Sequence, residues 1–216
     1  MGYSPNSGVS IITCDGHSFK DLDRDGELDV YEDWRKSPAE RTADLVSKLS
    51  VLEIAGLMQG SHMQCLPAND VYHYDGLTFK QSGVACPYDL TDEQKVFLKD
   101  DMVRCMLMAS IDSTSSAVRW NNTVQQYVEG EGHGIPVAIF SDPRNGAASD
   151  MIFEAGGEGT ISRWPSFVGI GATADPSVAY EFGRCTSLEY RALGVTTALS
   201  PQADVCGEPR WWRISG

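Results

Sequence analysis

Ordered patterning of apolar and polar positions begins near residue 37, and residues 1–36 read as a polar, irregular N-terminal extension. Ser37, Pro38 and Glu40 then form a helix start: the serine caps free amides, proline fits the first turn, and the glutamate completes a capping box. Leu45, Val46 and Leu49 fall on one face of that helix. Ser50 and Glu53 repeat the box before a shorter helix, and residues 57–60 read as a short strand. Residues 61–90, rich in Gly, Pro, Tyr and His, read as a long loop of the functional or mobile kind. Thr91 and Gln94 open another helix. Residues 103–110 (VRCMLMAS) read as a buried strand, and residues 115–129 as a helix with Ala117, Trp120, Val124 and Val128 on one side. Residues 135–141 (IPVAIFS) are apolar throughout, as a strand covered on both faces should be. Asp175 and Pro176 open a long helix that Gly194 ends, and residues 195–200 (VTTALS) form the next strand. Strands alternate with helices, so the expected class is α/β with a parallel sheet.

The 216 residues are 42% hydrophobic and 22% charged, which suits a folded domain with a sizeable core. No apolar run approaches the ~18 residues of a membrane-spanning helix. Seventeen basic against thirty acidic residues leave a net charge of −13, which argues against a nucleic-acid partner. Cations and neutral polar ligands such as sugars remain open. The start, Met1-Gly-Tyr-Ser-Pro, shows no secretory signal, so the expectation is a cytoplasmic protein or a secreted or periplasmic one whose signal was removed. Cys14, Cys65, Cys86, Cys105, Cys185 and Cys206 are widely spaced without a C-x-x-C pair and read as mostly free structural thiols.

The sharpest chemical signal is the stretch Asp21, Asp23, Asp25, Gly26, Glu27, Asp29 and Glu32. Carboxylates occupy positions 1, 3, 5, 9 and 12 of an EF-hand-like loop, glycine occupies position 6, and Glu27 offers its carbonyl at position 7. The expected cofactor is a structural Ca²⁺ that staples the N-terminal segment, with no organic cofactor. A sensor is not expected, because no second loop of this kind follows. Asp142 and Asp204 follow strands, where parallel α/β folds place their sites. They suit sugar binding or acid–base work, or else helix capping and pairing with Arg144 or Arg210. Gly169-Ile-Gly171-Ala-Thr-Ala174 matches a dinucleotide fingerprint but lacks a strand before it. The four histidines are scattered without metal-ligand spacing, although His62 follows a strand and could face a pocket. Trp164, Trp211 and Trp212 are candidate sugar-stacking rings or packing residues. The sequon Asn121-Asn-Thr123 falls in an expected helix.

Three stretches together resemble the N-terminal barrel domain of glycoside hydrolase family 3, the β-glucosidase group. They are GIPVAIFSDPRNG (134–146), residues 161–205 and GEPRWWR (207–213), and the segment at 21–49 resembles the lead-in of some members. The resemblance implies a partial (β/α)8 TIM-barrel-like domain over residues 37–216, after an extension at 1–36 that holds the calcium loop. It implies a retaining exo-β-glycosidase acting on terminal β-linked sugars of an oligosaccharide or glycoside. It also implies terminal-sugar binding by Asp142 and Arg210, with Asp204 and Glu208 as neighbours of the site. The family pattern carries His and Gly where this chain has Asn145 and Trp212, a change expected at the pocket mouth. The Lys-His pair, the Asp nucleophile and the acid/base of the family have no match here. Eight β/α units need about 250 residues, so the barrel is expected to be incomplete, inactive alone, and completed by a remainder or a second chain. Two other readings follow from the residues: a calcium-stapled sugar-binding scaffold without catalysis, and a nucleotide-dependent α/β enzyme resting on Gly169–Ala174.

Overall fold

A computed structural model describes residues 4–63, 88–108, 113–142, 145, 161–200, 208 and 210. The chain divides into two compact units, each built from several stretches: 1–61, 90–105 and 122–137 form one, and 62–89, 106–121 and 138–216 form the other.

The first unit opens with a hairpin in the region expected to be irregular. Strands β1 (Ser10–Cys14) and β2 (His17–Asp21) pair antiparallel, from Cys14 against His17 to Ser10 against Asp21. The two-residue turn between them, Asp15-Gly16, has φ of 50° and 75°. Positive φ at both positions matches the twist of a tight hairpin, and an Asp-Gly pair tolerates it. Phe19 of β2 is fully buried and stacks on Trp34 at 5.6 Å between ring centroids. Ser4 donates its amide to Glu129 Oε2 at 2.8 Å, and Lys20 pairs with Glu129 Oε1.

Helices α1 (Pro38–Lys48), α2 (Val51–Leu57) and α3 (Asp92–Lys99) start where the sequence places them, and each carries a reciprocal capping box, from Ser37, Ser50 and Thr91 respectively. The apolar face of α1 is covered only in part: Leu45 and Leu49 are half-buried and Val46 is exposed. Residues 57–60 are not a strand. Leu57 ends α2, the Met58 amide donates back into the helix, and β3 runs over Gly60–Met63. Gly56 is buried, and a Cβ there would overlap the carbonyl oxygens of Asp101 and Met102. Arg104 is buried as well. Its guanidinium donates to the carbonyls of Leu98 (2.5 Å), Val103 (2.9 Å) and Ile135 (3.0 Å), and burial lowers its pKa.

The second unit holds most of a four-stranded sheet that follows chain order: β3, β4 (Cys105–Met108), β5 (Ala138–Ser141) and β6 (Thr197–Ala198). The strands are shorter than the apolar runs that foretold them, and β5 and β6 pair in parallel. Helices α3, α4 (Thr114–Glu129) and α6 (Pro176–Leu193) fall between successive strands, with the short α5 (Phe167–Ala172) before α6. Each strand–helix–strand step is the expected α/β alternation. Met106, Met108, Ala117, Trp120 and Ile139 are sealed from solvent. Asp175 caps α6, Pro176 sits in its first turn, and Gly194 ends it in the left-handed region.

Candidate functional site

Asp142 leaves the sheet at the C-terminal end of β5. Pairing holds the strand to its last residue: Thr196 donates to Ile139 O at 2.9 Å, and Leu199 donates to Ser141 O at 2.9 Å. The Ser141 hydroxyl donates to Met108 O at 3.0 Å, which ties β5 to β4. Ile139 and Ser141 are fully buried and Asp142 is 8% exposed. A buried carboxylate directly after a strand end sits where parallel sheets gather their binding groups.

Asn145, three residues after Asp142, is 1% exposed and holds φ of 47°. Its Nδ2 donates to Ser162 O at 3.0 Å and to Glu189 Oε2 at 2.9 Å, and its carbonyl accepts the Trp164 amide. Glu189 of α6 also accepts the Ser162 amide at 2.9 Å and the Ser162 hydroxyl at 2.8 Å. The Trp164 indole donates to Ser162 Oγ at 3.1 Å, and its ring meets Phe182 edge-on. Asn145 is therefore a buried tether rather than part of a pocket mouth, and Trp164 is held by packing. Sequence reasoning missed Glu189 and Ser162, because residues 44 and 17 positions from Asn145 leave no local spacing to read.

Arg210 is exposed and forks onto Glu208. Its Nε and Nη2 each donate at 2.8 Å, and the guanidinium holds the Glu208 carboxyl at about 2. No hydrogen bond or ion pair joins Arg210 to Asp142 among the described residues. Asp204, Arg144, Trp211 and Trp212 lie outside the described residues. A cavity of about 580 Å³ opens between α5, α6 and β6, lined by Phe167, Ile170, Phe182, Tyr190 and Val195. Its apolar wall does not include Asp142 and offers little to a ligand made of hydroxyls.

The acidic loop grows out of β2. Asp21 is its last residue, and one oxygen each of Asp21, Asp23 and Asp25 lie within 4.8 Å of one another. Asp25 Oδ1 accepts the Glu27 amide at 2.8 Å, and Gly26 has φ of 84° at the expected sharp turn. Lys48 pairs with Asp29 Oδ2 at 2.6 Å. Glu32 is buried and closes the loop: Oε1 accepts the Leu22 amide at 2.5 Å, and Oε2 accepts the Asp29 amide at 3.1 Å. Burial raises its pKa against the pull of those amides. Burial, then the Asp29 carboxyl and the Asp25 charge, raise that of Asp23.

Other sequence candidates resolve simply. Gly169 and Gly171 lie inside α5, so no strand–turn–helix cradle forms around them. His133 bonds Glu53 at 2.9 Å, and His17 packs edge-on against Trp34. Cys14, Cys105 and Cys185 are free thiols, while Cys65, Cys86 and Cys206 lie outside the described residues, as does His73. Asn121 of the sequon lies within α4, against Gly194.

Residues 47–215 match the model of the glycosyl hydrolase family 3 N-terminal domain. The chain is 39% identical to a periplasmic β-glucosidase/β-xylosidase of Dickeya chrysanthemi over 97% of its own length. It is 29% identical to β-glucosidase C of Emericella nidulans over 96% of its length, and 29% identical to a probable β-glucosidase C of Aspergillus flavus over 93%. The chain spans 30%, 32% and 29% of those relatives' lengths.

Proposed function

The chain belongs to glycosyl hydrolase family 3, and from that premise we propose that it supplies the terminal-sugar-binding part of a retaining exo-β-glycosidase of the β-glucosidase kind. The carrying observation is Asp142, nine-tenths buried at the C-terminal end of β5. An ionised carboxylate there accepts hydrogen bonds from neighbouring sugar hydroxyls and fixes the ring's orientation. Arg210 is the second sugar contact in this reading. Glu208 engages its Nε and Nη2, so the fork arrives pre-aligned and Nη1 serves the substrate. In a retaining glycosidase one carboxylate attacks the anomeric carbon and a second carboxyl protonates the leaving oxygen; water then hydrolyses the glycosyl-enzyme. This proposal assigns neither role to Asp142 or Arg210. The periplasmic relative supports a place outside the cytoplasm.

The expected behaviour of the 216-residue chain is sugar binding without turnover. Saturation-transfer NMR with glucose and an aryl β-glucoside tests it, with Asp142→Asn as the control. Binding that weakens at least tenfold in the variant, with an unchanged circular dichroism spectrum, supports the assignment. Equal binding by both proteins removes Asp142 from the site. Hydrolysis of the aryl β-glucoside by the parent that disappears in Asp142→Asn would overturn the expectation of binding without turnover.

A further inference from the structure

We propose that residues 21–32 bind a Ca²⁺ ion through the carboxylates of Asp21, Asp23 and Asp25, with Glu32 closing the loop by its hydrogen bonds rather than as a ligand. Calcium takes oxygens at 2.3–2.6 Å, so two ligands of one ion stand at most about 5 Å apart. The 4.8 Å limit that encloses the three Asp oxygens fits inside that sphere.

A second observation separates this loop from an ordinary acidic turn. Asp21 is 4% exposed; its Oδ2 accepts the Ser10 hydroxyl at 2.9 Å, and its Oδ1 is shielded from water with no hydrogen-bond partner. Asp23 Oδ1 is in the same condition. A buried carboxylate oxygen without a partner forfeits its hydration, and a bound cation restores what it lost. The protein's own cations do not do so. Arg24, within the loop, donates to the carbonyls of Leu22 and Gly132, and Lys48 is held by Asp29. Among the described residues no lysine or arginine pairs with Asp21, Asp23 or Asp25.

Glu32 has a different task. Its two oxygens draw in the amides of Leu22 and Asp29, near the two ends of the loop. The loop is thereby curled around the Asp trio before any ion arrives. An all-oxygen donor set on an irregular loop suits Ca²⁺, which accepts varied geometry, over the smaller Mg²⁺, which demands a near-ideal octahedron.

The test is calorimetric titration of the chelator-treated 216-residue chain with CaCl₂, paired with thermal melts. One saturable site and a raised melting temperature are expected, with a smaller rise from MgCl₂. Asp25→Asn keeps an oxygen to accept the Glu27 amide, and Asp23→Asn keeps the side-chain shape while trading one carboxylate oxygen for an amide NH2, so both variants should fold. Each should weaken Ca²⁺ binding at least tenfold with an unchanged circular dichroism spectrum. The proposal fails if no saturable heat appears by about 10 mM, well above the weakest range for such loops. It fails equally if both variants bind as tightly as the parent, or if NaCl of matched ionic strength raises the melting temperature as much.

Discussion

Glu189 Oε2 lies 2.9 Å from Asn145 Nδ2, and through this contact helix α6 holds Asn145, three residues past Asp142. Both Glu189 oxygens also serve Ser162. Alanine at position 189 would strand three donors at once. The expected cost is about 2–3 kcal/mol, since unmade hydrogen bonds of partly buried groups are expensive. Glutamine keeps one acceptor and should cost less. Urea midpoints of the two variants check the order, and equal losses would show that water replaces the carboxylate.

Gly56 and Gly183 should respond to alanine with opposite signs. At Gly56 a methyl group would collide with the backbone of Asp101 and Met102. Backbone cannot step aside cheaply, so Gly56→Ala should destabilise by about 1–3 kcal/mol. Gly183 lies within α6 with open space where its Cβ would stand. Gly183→Ala should therefore stabilise by about 0.5–1 kcal/mol, as removing glycine from a helix interior does. Chemical denaturation of the pair decides it.

Glu53 joins the start of α2 to the turn at His133. Its Oε2 accepts the Ser50 amide and hydroxyl, both at 2.8 Å, and its Oε1 bonds His133 Nδ1 at 2.9 Å. Burial pushes its pKa up, but the Ser50 bonds and the His133 ring outweigh burial and hold it below the ordinary glutamate value. A carboxyl depressed in the folded state stabilises above its unfolded value, about 4.3, and loses that contribution as the pH falls through the folded value. Unfolding free energy measured from about pH 6 down to about pH 3 should therefore drop more steeply for the parent than for Glu53→Gln. Parallel curves would show that the carboxylate contributes no acid sensitivity.

How much of this was readable depended on how local each cause was. The three capping boxes at Ser37, Ser50 and Thr91 are four-residue devices, and all three form. The apolar run ending in β5 and the Asp-Pro opening of α6 were likewise self-contained. The hairpin at residues 10–21 went unread although its signal was present: Asp15-Gly16 between SIITC and HSFKD is a two-residue turn between alternating stretches. The short strand expected at residues 57–60 begins at Gly60 instead, because α2 runs on to Leu57, with Gly56 inside it admitting a neighbouring backbone. The Asn145–Ser162–Glu189 tether was beyond reach of any window, since tertiary packing alone brings its members together. At the site, the strand-end position of Asp142 was legible from periodicity, while Arg210 came from resemblance.

The register of the first hairpin reaches further than its two strands. Ser10 faces Asp21 because the Asp15-Gly16 turn is two residues long. One residue added to that turn would shift the pairing by a step and send every side chain beyond it to the opposite face. Phe19 would leave the interior, and Asp21 would turn away from Asp23 and Asp25. Turn length and acidic loop are thus coupled: a single codon inserted after Gly16, four codons before Asp21, would do more harm than many substitutions within the loop.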